Sequence, residues 1–526
     1  MKPFSWRRLC FSSKAYQHLT MLLVALWIVA VAGCSLLQVR MPTVSSSPPS
    51  GTPSPAAVSP QRFDGVTIHI ITHDGAQQTV TRRHIAGFEN LTGAKVKQTG
   101  VPFKDLYDTL QRDWSSGASQ YEMAIALPQW QIDFIQAGYL EDLTDRRKAD
   151  VALQWDDIAP LWREFSAVYK GHTYSIPLDG DFHMLYYRTD LLKQAGLTPP
   201  ATWDDYLAIA KQFHDKDLNG DGKPDYGSCI EKRPKEFSAS ILGSFIAPFL
   251  QSQGTAQGIF FDPDTMKPLV NNPGFARALE IYKQTTNYGV PDDKNLSQPE
   301  ARRLFLSGRC AMTLDWGDVG TQSIYPTTSN VMNKVGTSIT PGSTQVLDRQ
   351  ANQLIACNKF TCPYAINGVN HAPYAAYGGW VGVVAAKAAP RVKDAAYAFL
   401  SYMGQPAQSN VDVTVGATGY NPYRVSQFKE VEPWLKAGMS LEMANNYLGT
   451  IEVSLSSPNI VLDLTIPHNQ QYLLNVLDAV RADFLRNKLT QEEAMQQIEQ
   501  RWQQITDRVG RADQKAAYRS SLGLPS

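Results

Sequence analysis

Between residues 66 and 137 the spacing of apolar side chains switches back and forth between two periods. Val66, Ile68 and Ile70 alternate with Thr67 and His69 in a stretch rich in β-branched residues, which predicts a strand over 66–72. Residues 84–90 predict a helix, with Thr92-Gly93 as its stop. A second strand is expected over 94–101, a helix over 107–114, a short apolar strand over 123–127, and a helix over 131–137 ended by Gly138. Strand and helix in alternation favour an α/β sheet. Further on, Thr202 is the expected N-cap of a helix with Asp204 and Asp205 in its first turn. Leu207, Ile209, Ala210 and Phe213 would form its buried side. Thr490 and Glu493 match a capping box, followed by Met495, Ile498, Trp502 and Ile505 at helical spacing.

The first residues break this pattern. Lys2, Arg7, Arg8 and Lys14 precede an uncharged apolar stretch, 19–33, shorter than the about 20 residues of a membrane-spanning helix. A charged start followed by a short apolar stretch is a secretory signal. It ends in Val31-Ala32-Gly33-Cys34, which resembles the bacterial lipobox; that resemblance implies cleavage after residue 33 and lipid on Cys34. Residues 41–60 hold six Pro and six Ser and no charge, so 34–63 is expected to be a tether that cannot bury a core. Export to a membrane-anchored position, on the cell surface or in a periplasm, follows from these features.

Charge adds one exclusion. Lys+Arg and Asp+Glu are both 49, and the signal removes four basic residues, leaving 45 − 49 = −4. A dedicated nucleic-acid binder would carry a basic excess. Beyond Cys34, Cys229, Cys310, Cys357 and Cys362 would remain, an even number in an exported chain where disulfides persist. Cys357 and Cys362 could close a small loop and leave Cys229 with Cys310, but four cysteines allow three pairings, and buried free thiols are the other reading. Asp217, Asn219, Asp221, Lys223 and Asp225 fall at positions 1, 3, 5, 7 and 9 of a calcium-loop pattern, with Gly222 at its sharp turn. Position 12 is Ser228 instead of Glu, so another ligand such as Glu231 would be needed. A structural calcium is one expectation; a metal-free polar turn is the other.

Four ordered segments carry a wider resemblance. They are Phe88-Glu89-Asn90-Leu91-Thr92-Gly93; Ile176-Pro177-Leu178-Asp179 through Tyr186-Tyr187-Arg188 to Trp203; Phe305 through Met312 with Trp316; and Gly378-Gly379-Trp380 with 395–403. Over roughly residues 64–510 the chain resembles the extracellular solute-binding proteins of bacterial ABC importers, in the group that includes sugar-binding proteins. The resemblance implies a two-lobed α/β fold of the class II periplasmic-binding type, a hinge that closes on solute, a monomer, and delivery to importer membrane subunits. By analogy one lobe is 64–178 plus 380–425, the other 179–379 plus 426–510, and 511–526 is a C-terminal tail.

A sugar presents apolar faces and a rim of hydroxyls, so aromatic platforms and carboxylates are the groups to look for. Expected solute-binding residues are His73, Asp74, Trp130, Asp179, Asp181, Tyr187, Trp316, Gly378, Gly379, Trp380, Tyr420 and Arg424. Each Trp also suits a core, and Asp179-Gly180-Asp181 also suits a solvated turn. Adjacent Tyr186 and Tyr187 raise ferric iron, although a strand with one core Tyr explains them better. The rival functions are a receptor for a polyamine, anion or metal, and a glycoside-acting enzyme using Asp179 and Asp181. No nucleophile elbow or phosphate loop supports other chemistry, so no catalytic residue is expected.

Overall fold

A computed structural model describes residues 62–525, apart from Ala118 and Ala417. The expected signal, Cys34 and the tether up to residue 61 lie outside the described residues. Two sheets organise the rest. The first contains β1 (Thr67–His73), β2 (Lys95–Val101), β3 (Met123–Ala126), β4 (Ser175–Pro177) and, from far along the chain, β9 (Val381–Val384). Its order is β2-β1-β3-β9-β4. β1 runs parallel to β2 and β3, while β9 is antiparallel to both β3 and β4. The second sheet is built from β5 (His183–Arg188), β6 (Tyr226–Ser228), β7 (Cys310–Trp316) and β8 (Val335–Ser338), in the order β8-β5-β7-β6.

β1 forms where the alternation predicts it, with Ile68 and Ile70 fully buried. α1 (Ala76–Thr92) starts eight residues before the expected His84. Its first turns bury Gln77 and Thr81, polar side chains that leave no apolar period to read, and Gly75 supplies no side-chain cap. Its end matches expectation: Gly93 adopts a φ of 78° and donates its N–H to Glu89 O at 2.8 Å. α2 (Phe103–Ser116) buries Leu106, Leu110 and Trp114, one face at four-residue spacing. α3 (Trp203–Phe213) carries a complete capping box between Thr202 and Asp205, an arrangement worth about 1 kcal/mol. α4 (Gln298–Leu306) begins with the corresponding box between Ser297 and Glu300.

One core packs around the first sheet and continues to Met184 and Tyr186 of β5; the other takes Leu185 of β5 with Ala311, Met312 and Leu314 of β7. The strand period of two sends successive residues to opposite faces, so the second sheet is covered on both. α5 (Gln491–Val509) opens with the expected Thr490–Glu493 box and buries Met495, Ile498, Trp502 and Ile505. Residues 511–521, expected within a tail, instead form α6 (Arg511–Ser521). Tyr518 explains why: it is buried, stands edge-on to Phe261, and accepts the Phe260 and Phe261 N–H groups. Among the described residues no helix is long and apolar enough to cross a membrane.

Of the three pairings left open, the structure forms Cys229–Cys310 and Cys357–Cys362. Cys229–Cys310 joins the end of β6 to the start of β7, with Cα atoms 6.0 Å apart, and Cys357–Cys362 closes a surface loop.

Candidate functional site

The two sheets are linked by a short segment, 178–182, between β4 and β5, and by residues 376–380 leading back into β9. These segments cross where the backbones touch. Tyr377, Gly378 and Gly379 have φ values of 58°, 71° and 85°. A Cβ on Gly379 would collide with the Asp179 carbonyl oxygen, so only glycine fits there. Tyr377 holds the left-handed conformation without that freedom, a backbone cost of the kind that gathers at ligand clamps. The turn places Trp380 and Tyr377 on either side of it.

An aromatic box results. His73, at the carboxyl end of β1, lies parallel to Trp380 with ring centroids 5.9 Å apart and planes 9° apart. Phe103, at the start of α2, stands edge-on to both. From the second sheet Trp316, the last residue of β7, lies parallel to Tyr377 at 6.4 Å. Phe237 stands edge-on to Trp316 and meets Phe103 at 4.7 Å, which brings the two lobes into contact. A cavity of about 240 Å³ is lined by the rings of His73, Trp380, Trp316, Tyr377 and Phe237; Asp181, Arg302, Asp318, Gln77 and Gln298 also line it. In open α/β sheets the carboxyl ends of strands are where ligands bind, and β1 and β7 both end here.

The polar groups are tightly tied. Asn421 donates its backbone N–H and its side-chain amide to Asp179 Oδ1, at 2.6 and 3.0 Å, and the same amide to Asp181 Oδ1 at 2.8 Å. Burial, then the charges of Asp179 and Asp318, push the Asp181 carboxyl well above the usual range. Asp179 is also raised, burial again being the first cause. Arg302 reaches from α4 to two carboxylates: its Nε and Nη2 bond Asp315, and its Nη1 and Nη2 bond Asp318 at 2.7 Å. Among the described residues Arg302 is the only Arg or Lys that lines the cavity. Behind Trp316, His183 bonds Ser244 Oγ at 2.7 Å, and burial lowers its pKa to about 3, so it stays neutral.

The structure thus gathers His73, Asp181, Trp316 and Trp380 around one cavity, with Asp179 behind Asp181 and Gly378-Gly379 shaping the turn. Other expected residues lie elsewhere. Trp130 is buried between Phe103 and Tyr107, in the core. Asp74 is half exposed beside His73 and does not line the cavity. Tyr187 packs its ring over Gly336 on β8, because strand alternation sends Tyr186 to the opposite face. Tyr186 in turn donates to the Trp316 and Gly317 carbonyls, so neither Tyr is placed for iron. Tyr420 is buried next to Gly419, which does line the cavity. Arg424 is fully buried and bonds the carbonyls of Leu153, Gln154 and Gly404, a structural role that leaves it nothing for solute.

Sequence reading missed Phe103, Phe237, Arg302, Asp318 and Tyr377. Asp318 and Tyr377 had a signal in their place near Trp316 and Trp380. Arg302 sits in a polar helical stretch that reads as solvated, and nothing in the chain marks Phe237.

The 217–225 loop is closed by its own hydrogen bonds. Asp217 accepts the N–H groups of Gly220, Asp221 and Gly222, and Asp225 turns inward, taking Leu218 N–H and Arg309 Nε. Glu231 is buried elsewhere and accepts Phe237 N–H. Among the described residues no group of three or more His, Cys, Asp or Glu is placed to hold a metal ion.

The chain belongs to the bacterial extracellular solute-binding protein family, whose model matches residues 74–410. The mannitol-binding protein of Pseudomonas aeruginosa is 28% identical over 41% of this chain and 46% of its own length. The chain spans about half the length of that relative and of the Brucella binding proteins it also matches. A Sinorhizobium fredii protein named as a probable amino-acid ABC transporter periplasmic-binding protein is 22% identical over 72% of this chain and 77% of its own. The ABC transporter solute-binding protein of Agrobacterium radiobacter K84, solved with ribitol, has the same fold: TM-score 0.68, 21% identity, covering 85% of this chain and 100% of that one.

Proposed function

We propose that this protein captures a small polyhydroxylated solute, a polyol or small sugar, between its lobes and delivers it to the membrane subunits of an ABC importer. It does so as a monomer held to the membrane by lipid on Cys34. The observation that carries this reading is the box itself: two parallel aromatic pairs, His73–Trp380 and Trp316–Tyr377, share one cavity with Asp181 and Asp318. Ring faces suit the C–H face of a polyol, and carboxylates accept its hydroxyls. The cavity lies below the about 300–1,000 Å³ of drug-sized pockets, which favours a short solute over a long chain. The mannitol and ribitol named for the two relatives agree.

An amino acid, as named for the Sinorhizobium relative, would bring a carboxylate that needs a cation. Arg302 is already balanced by Asp315 and Asp318. The same deficit counts against anions generally. A glycoside-acting enzyme needs two carboxyls flanking the scissile bond. Here Asp179 and Asp181 share one donor, Asn421, and sit together on one side.

The test is a thermal-shift series on the exported protein with hexitols, pentitols, mono- and disaccharides, amino acids, polyamines and ferric ion. A ligand that binds only the folded state raises the midpoint. A shift confined to polyols or sugars, and lost in Trp316→Ala and Trp380→Ala, is expected. Shifts by amino acids or iron alone would overturn the assignment, and product formed from a glycoside would replace it with catalysis.

A further inference from the structure

The cavity carries more negative charge than it balances. Asp181 and Asp318 line it, and Asp179 and Asp315 stand directly behind. Against these four carboxyls stands one guanidinium, Arg302, bonded to two of them. His73, which also lines the box, is driven toward its neutral form by burial. Even with one proton shared between Asp179 and Asp181, an excess of negative charge remains. A neutral solute would leave that excess buried, and an unpaired buried charge is costly.

A second observation is independent of the carboxyls. The walls are aromatic rings, Trp316 parallel to Tyr377 and Trp380 parallel to His73. Indole and phenol faces attract an ammonium group, and an enclosed aromatic cage is a recurrent way of holding one. Anions, for which the cavity has no free donor cation, gain nothing from either feature.

We propose that the solute class is an amine-bearing polyol or amino sugar, whose ammonium group pairs with Asp181 among the Trp316, Tyr377 and Trp380 rings while its hydroxyls meet Asp318 and the amides of Gln77 and Gln298. The proposal rests on the polyol reading above and narrows it. Asp181 suits the role because its Oδ1 is held in place by the Asn421 amide, and an ammonium beside it would favour the ionised carboxylate that burial and its acidic neighbours disfavour.

The experiment is calorimetry at pH 7 on the exported protein with three probes: D-glucitol, 1-amino-1-deoxy-D-glucitol, and the N-acetyl derivative of that amine. Only the amine can make a charge-assisted hydrogen bond to a carboxylate, so it is expected to bind at least about tenfold tighter than either uncharged probe. Asp181→Asn, which keeps an acceptor for Asn421, is expected to reduce that advantage to under about threefold. Should that variant not fold, the wild-type comparison of the amine with its N-acetyl derivative decides alone. Equal or tighter binding of D-glucitol overturns the amine assignment and leaves the polyol reading standing. Retention of the full advantage in a folded Asp181→Asn overturns the role of Asp181. Failure of all three probes overturns both readings.

Discussion

Two Asp-containing turns behave in opposite ways. The 217–225 loop reads in sequence as a metal site, and Asp179-Gly180-Asp181 reads as well as a solvated turn. In the structure the first is tied up by its own backbone. Asp217 is exposed, and the N–H groups of Gly222, Gly220 and Asp221 hold its carboxyl below the usual range. Asp181 is buried, and its carboxyl is driven up. A carboxylate satisfied by its own backbone has little left for a ligand. One that is buried and under-partnered is available. Spacing in sequence reports which oxygens are near one another and says nothing about which are already used.

The widest separation between the two regions is expected in solute affinity. Removing a wall of the box in Trp380→Ala or Trp316→Ala forfeits much of a large aromatic contact, so affinity measured by calorimetry should fall at least about tenfold. Asp221→Ala in the loop should leave it within about twofold. Equal losses would mean that the loop, too, belongs to the solute site. Next in size is an effect inside the loop. Asp225 is fully buried and pairs with Arg309, so Asp225→Ala should cost about 1–3 kcal/mol of stability in urea unfolding, whereas exposed Asp221→Ala should stay within about 0.5 kcal/mol. Similar costs would show that the loop is not divided into an anchored end and a free one.

The pH dependence sharpens the contrast further. A carboxyl raised in the native state binds more protons there than in the unfolded chain, so its contribution is present at low pH and is lost as pH rises from about 4 upward. Asp179→Asn should therefore lessen the fall in urea midpoint between acid and neutral pH relative to wild type. Asp217 has the reverse sign, contributing above the unfolded pKa and losing that contribution as pH falls. An unchanged profile in Asp179→Asn would show that Asp179 does not couple folding to protons between acid and neutral pH. The smallest effect is the one expected to be nil: calcium or a chelator should leave the thermal midpoint unmoved, and a rise with calcium would restore the loop as a metal site.

Much of the fold was legible. β1, the Thr202 and Thr490 capping boxes and the Gly93 stop follow from local period and capping chemistry, which do not depend on distant neighbours. What was missed depends on contacts. α1 begins in polar residues whose burial only the fold decides. Tyr187 was misplaced because nothing local says which face of β5 looks at the cleft. The candidate site was half legible, since Trp316, Trp380 and Asp181 sit in recognisable segments. Arg302 and Phe237 come from segments with no mark of their own, and Asp315 and Phe103 across space give them their place.

Gly379 limits how this receptor can be re-tailored. Any side chain there would drive into the Asp179 carbonyl, at a φ that disfavours it anyway. Trp380 follows directly and is aimed by the same turn. A library built to capture new solutes has little to explore on that wall, and its diversity belongs at Phe237 and at Gln298 and Pro299 on α4, which line the cavity from other segments. Selection for a bulkier cargo would hollow the cavity there and leave the crossing as it is.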